Sequence, residues 1–137
     1  MSVQFKNSLF TFFFSNEDRL RELYFALTDI KITNDTPLVI NTLEDVFYMD
    51  RVNDISFMVD GKVIVLIEHQ STINLNMPLR LLMYIARLYE KIIPGKALYK
   101  RNLVTLPRPQ FYVLYNGKEP LPLSILLNYQ RVLPAHL

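Results

Sequence analysis

The sequence predicts an α/β domain in which a helix, three strands, a second helix and a final strand follow one another. Three observations carry this expectation. Residues 63–67, Val-Ile-Val-Leu-Ile, form an apolar, largely β-branched run, and Asp60-Gly61 links it to a similar run at 54–59 as a strong hairpin-turn signal. Leu20, Leu23, Tyr24 and Leu27 recur at i, i+3, i+4 and i+7, and Leu81, Ile85, Leu88 and Ile92 at i, i+4, i+7 and i+11, each the stripe of an amphipathic helix. Phe111-Tyr112-Val113-Leu114-Tyr115 follows Pro107-Arg108-Pro109 and stops at Asn116-Gly117, as a strand bounded by turn residues does.

Taken in order, Phe5, Leu9, Phe12 and Phe13 give residues 3–14 a helical spacing. Ser15 with Asp18 three residues on resembles a capping box, and Glu17 and Asp18 in a first turn suit the helix dipole, so a helix is expected over 16–28. Residues 29–42 are turn-rich and without clear period; a strand is expected over 43–49. The hairpin occupies 54–59 and 63–69. Asn76 offers an N-cap and Pro78 is tolerated in a first turn, so the second helix runs over 77–93, widened by Leu82 and Tyr89 and ended before Pro94-Gly95. Residues 118–137 hold three prolines and the run Ile125-Leu126-Leu127 with no clean period. The expected organisation is one domain over 1–117 and an irregular tail over 118–137.

The bulk properties agree with one domain. The chain has 137 residues, 50% of them hydrophobic and 12% aromatic, enough for a proper core. Its net charge of +2 permits contact with nucleic acid without requiring it. The lack of cysteine excludes disulfides, thiolate nucleophiles and cysteine-based zinc sites. Phe12-Phe13-Phe14 is too short, and too close to Asn16-Glu17-Asp18, for a signal peptide, and no run approaches the ~20 apolar residues that span a bilayer. The expectation is a soluble cytoplasmic protein without a membrane partner. The chain's three glycines form no phosphate-cradling loop, and Ser71 has no plausible His/Asp partners for nucleophilic catalysis.

The candidate chemistry lies where the hairpin strands change character. Residues 63–67 give way to Glu68-His69-Gln70-Ser71, and Asp54 is a lone acid at the start of the preceding run. Two carboxylates near one end of a hairpin can share a divalent cation. The side-chain period of 2 sets Gln70 on the face of Glu68, with Leu66 and Ile64, and turns His69 away. Asp54, Glu68 and Gln70 are therefore a candidate metal site for phosphodiester chemistry. The backbone carbonyl of His69 is a further oxygen ligand suited to a hard cation. A two-residue Asp60-Gly61 loop would set Asp54 opposite Ile67 and turn the two acids to opposite faces. A shared site needs a three-residue loop or a bulge. The plain alternative is that these polar residues only mark strand ends leaving the core, and that His69 and His136 are ordinary hydrogen-bonding groups. On the second helix, Arg80, Tyr84, Arg87 and Lys91 recur at i, i+4, i+7 and i+11. Three cations with one aromatic can follow a phosphate backbone, or form a solvated face.

The stretch DISFMVDGKVIVLIEHQSTINLNMPLR, from Asp54 to Arg80, resembles the Rpn family of recombination-promoting nucleases, also labelled transposases, within the PD-(D/E)XK nuclease superfamily. The likeness covers roughly residues 5–120: it extends through Leu82-Met83-Tyr84-Ile85-Ala86, PRPQFYVLYNG at 107–117 and FKNSLF at 5–10. Its most specific combination is Glu68-His69-Gln70-Ser71-Thr72 followed by Asn76-Met77-Pro78-Leu79-Arg80. The resemblance implies a restriction-endonuclease-like core, helix-strand-strand-strand-helix-strand around a central mixed sheet. It implies a bacterial Mg²⁺- or Mn²⁺-dependent endonuclease acting on double-stranded DNA, with the cation lowering the pKa of a bound water and neutralising phosphate charge. It gives Asp54 the role of the metal-binding Asp and Glu68 that of the second acid. Gln70 stands in the place usually held by lysine, where it can orient water or hydrogen-bond the phosphate but carries no charge. Glu17 or Glu22 is the candidate for an assisting glutamate of the first helix.

Two departures qualify the likeness. Family members continue well past residue 137, and residues 128–137 do not resemble that continuation. A truncated or frameshifted product is thus expected, with apolar surface left exposed. The competing expectation is a catalytically silent remnant or regulator that binds DNA or a full-length homologue. A structural α/β module without a nucleic-acid role is the third. Self-association is left open.

Overall fold

The computed structural model describes residue 12 and residues 14–41 and 55–120. Within them the order is α1 (Glu17–Thr28), β1 (Leu38–Ile40), β2 (Ile55–Val59), β3 (Val63–Gln70), α2 (Met77–Ile92), a short 3₁₀ helix (Gly95–Tyr99) and β4 (Arg108–Tyr115). The strands form one mixed sheet in the order β1-β2-β3-β4. The pairs β1–β2 and β2–β3 are antiparallel, and β3–β4 is parallel. A parallel pair needs a long crossover, which α2 and the 3₁₀ helix supply.

Among the described residues, each side of the sheet is covered by one α-helix. On one face, Leu20 and Tyr24 of α1 pack on Ile55, Phe57, Val59, Val65 and Ile67. Tyr24 meets Phe57 edge to face, with ring centroids 6.3 Å apart. On the other face, Met77, Leu81, Tyr84, Ile85 and Leu88 of α2 cover Ile64 and Leu66. Strand β3 is thus enclosed on both sides, which is why it reads as a continuous apolar run rather than an alternating one.

The hairpin loop has three residues, because Val59 pairs with Val63 and leaves Asp60, Gly61 and Lys62 between them. Asp60 and Gly61 both adopt left-handed backbone, with φ of 52° and 63°, as Asp-Gly at a tight turn predicts. The Lys62 ammonium pairs with the Asp60 carboxylate at 2.7 Å.

Several boundaries differ from expectation. The α1 cap is Asn16, not Ser15. The Asn16 Oδ1 accepts the Asp18 and Arg19 N–H groups at 2.8 and 3.4 Å, while the Ser15 hydroxyl donates back to the Phe12 carbonyl. Asn76 occupies the N-cap position of α2 without a side-chain capping bond; instead Asn74 Oδ1 accepts the Asn76 N–H at 2.9 Å. Strand β4 begins at Arg108, before the 111–115 span expected. The Arg108 N–H donates to the Lys62 carbonyl, so the nitrogen of Pro109 faces the open side, where an edge strand tolerates proline. Strand β1 lies in the segment that showed no period. The helix expected over 3–14 lies almost wholly outside the described residues. The strand over 43–49, Asp54 and tail residues 121–137 lie wholly outside them.

Candidate metal and nucleic-acid site

The carboxyl end of β3 sets the site. Glu68 follows four buried apolar residues on the same strand and is itself only 2% exposed. Gln70, two residues on, is buried on the same side, and His69 between them is half-buried on the other. This is the alternation that the period of 2 required. The face holding Glu68 and Gln70 is the one that α2 covers.

A carboxylate is retained at such depth when charge and hydrogen bonds compensate for lost water. Arg80, in the first turn of α2, places Nη2 3.4 Å from Glu68 Oε2. Tyr84, one turn further, fixes that guanidinium. Its hydroxyl accepts from Arg80 Nη2 at 3.0 Å and from Nε at 3.3 Å, and its ring lies 5.7 Å from the guanidinium carbon. The cation–π contact and the two hydrogen bonds act together on one side chain.

Of the helix series Arg80, Tyr84, Arg87 and Lys91, the first two therefore turn inward to Glu68. Tyr84 is 3% exposed and belongs to the core of that face. Arg87 and Lys91 are exposed. The part Tyr84 plays in holding Arg80 was not anticipated, although its i+4 spacing from Arg80 was the available signal. Of the two glutamates considered on the first helix, Glu17 lies 3.8 Å from Arg21 and both stand in solvent-facing positions of α1.

Among the described residues, no group of three or more His, Cys, Asp or Glu side chains is arranged to hold a metal ion. The donors present are the Glu68 carboxylate, the Gln70 amide oxygen and the His69 backbone carbonyl. All are oxygens, which suits a hard cation in kind. They include one carboxylate, and the second acid expected, Asp54, lies outside the described residues. No helix among the described residues is long and apolar enough to cross a membrane. Comparisons with family models, with curated proteins and with solved structures find no match for the chain.

Proposed function

We propose that the chain is a metal-dependent endonuclease that hydrolyses phosphodiester bonds in double-stranded DNA, of the recombination-promoting or transposase type, in a restriction-endonuclease-like fold. The observation that carries this reading is the three-residue hairpin loop. Its register pairs Ile55 with Ile67. A site shared by the two acids of the hairpin requires an odd-numbered loop or a bulge, and a two-residue loop in an unbulged ladder would oppose it.

In this reading Asp54 and Glu68 hold Mg²⁺ or Mn²⁺, with the His69 carbonyl as a further ligand. The cation, when bound, activates water and neutralises phosphate charge. Gln70, buried beside Glu68, orients the attacking water or donates its amide to the scissile phosphate. Arg80, which pairs with Glu68, would also offer its guanidinium to a phosphate oxygen, for which its planar fork is suited. Arg87 and Lys91 track the backbone further along α2.

A second reading, a silent remnant or regulator that binds DNA or a full-length homologue, draws on the same ion pair. A buried carboxylate already neutralised by Arg80 is less available as a ligand than a free one. A plasmid-nicking assay separates the two, with Mg²⁺ or Mn²⁺ against EDTA and with Glu68→Gln beside the unaltered chain. Metal-dependent nicking that disappears in Glu68→Gln is expected. Folded, soluble protein that never nicks would leave the second reading in place.

A further inference from the structure

A cavity of about 400 Å³ opens where the parallel strands β3 and β4 end, lined by Ser71, Thr72, Tyr115, Asn116, Lys118 and Glu119 among others. Its size lies within the range of small-molecule sites, and the carboxyl ends of parallel strands are where α/β sheets receive ligands. The cavity lies just past the end of β3, next in the chain to the candidate site, and the backbone of Gln70 braces one of its walls. The Asn116 N–H donates to the Gln70 carbonyl at 3.0 Å, and the Tyr115 hydroxyl donates to the Glu119 carbonyl at 2.6 Å. Gly117 is required between these walls. A Cβ there would collide with the Tyr115 hydroxyl and the Ser71 carbonyl.

The lining is chemically mixed. The Lys118 ammonium and the Ser71 and Thr72 hydroxyls suit phosphate oxygens. The Asn116 amide donates and accepts, and the Glu119 carboxylate only accepts, from a sugar hydroxyl or a base amino group. A bare phosphate would use one part of this set, whereas a nucleotide uses all of it. Ser71 lies three residues beyond Glu68, roughly 10 Å along an extended strand at about 3.3 Å per residue. That separation suits a nucleotide neighbouring a bond cleaved at Glu68.

We propose that this cavity seats one nucleotide of the substrate strand, its phosphate toward Lys118 and the hydroxyls of Ser71 and Thr72. The choice of a nucleotide rests on the nuclease reading; the cavity does not. The test is an amide-resolved NMR titration of the full chain, in EDTA, with thymidine 5′-monophosphate, thymidine and inorganic phosphate as separate probes. Saturable shifts at 71–73 and 116–119 are expected with the nucleotide, about tenfold weaker binding with either fragment, and about tenfold weakening by Lys118→Gln in a folded chain. Thr72→Ala, at an exposed position, should weaken binding less while keeping the same shift pattern. Shifts that fail to saturate, that fall elsewhere, that are equal for phosphate alone, or that survive Lys118→Gln unchanged would overturn the proposal. EDTA removes cleavage from the measurement. A chain that binds the nucleotide here but never nicks DNA overturns only the nuclease reading. One that nicks without binding here overturns only the cavity proposal.

Discussion

The guanidinium of Arg80 stands 3.4 Å from the carboxylate of Glu68, joining the first turn of α2 to the most enclosed strand of the sheet. The two partners are unequal. Glu68 is sealed at 2% exposure, while the Arg80 side chain is 39% exposed. The acid therefore depends on the base more than the reverse. Removing the base takes a compensating group from a buried carboxylate, and removing the acid leaves a cation that can turn to water.

Arg80→Ala is accordingly expected to destabilise the chain by about 1–3 kcal/mol, the cost of weakening the compensation of a buried charged acceptor. Glu68→Gln in the same background should recover part of that loss. Urea unfolding of the two single variants and the double variant measures the coupling. Additive effects would mean that the pair contributes nothing.

Tyr84→Phe isolates the hydroxyl from the ring. The ring stays in the core with its cation–π contact, while both Arg80 hydrogen bonds to the hydroxyl are lost. A loss of about 0.5–1.5 kcal/mol is expected. In the Arg80→Ala background the same substitution should cost less, since its partner is already gone. Equal costs in the two backgrounds would separate Tyr84 from Arg80.

These contacts also mark what the sequence conveyed. The hairpin, the two helices and the last strand were legible, because Asp60-Gly61 and the apolar runs fix the hairpin and the 3.6-residue stripes fix α1 and α2. The sides taken by Glu68, His69 and Gln70 followed from strand alternation alone. Strand β1 was not legible: it has three residues, and Leu38 alone among them is buried, so it has no alternation to read. Asn16 and Ser15 are both good caps, and the choice is made by where the chain turns, not by residue type. Tyr84 shares two periods. It continues the basic series from Arg80, but it also lies three residues after Leu81 and four before Leu88, and burial decides for the apolar stripe. The Arg80–Glu68 pair joins residues twelve apart on different elements, so it emerges only when α2 packs on β3.

Gly61→Ala tests the turn that sets this register. Gly61 has φ of +63°, and a Cβ there meets nothing within 4 Å, so the cost is backbone conformation without collision. A loss of about 1 kcal/mol is expected, or about 4 °C in melting temperature. Gly61→Asn should cost less, because Asn tolerates left-handed backbone. Equal melting temperatures for all three chains would show that the turn is not under that constraint.

Tyr89 gives the fold an alkaline limit. Its hydroxyl donates to the Pro107 carbonyl at 2.7 Å, tying α2 to the entry of β4. Burial raises its pKa above the ordinary value of 10.0, and burial followed by the nearby Tyr24 raises that of Tyr112 on the opposite face. A phenol with a raised folded-state pKa binds its proton more tightly in the folded chain than in the unfolded one. Its contribution is therefore complete below the unfolded pKa and is lost as pH rises through the folded value. Ionisation of Tyr89 should therefore leave stability independent of pH near neutrality and lower it above about pH 10. Tyr89→Phe should cost about 1 kcal/mol near pH 7 through the lost hydrogen bond, and should flatten the alkaline slope. Urea midpoints at intervals from pH 7 to pH 12 measure both effects. An unchanged slope in Tyr89→Phe would assign the alkaline loss to other groups, with Tyr112→Phe the next variant to compare.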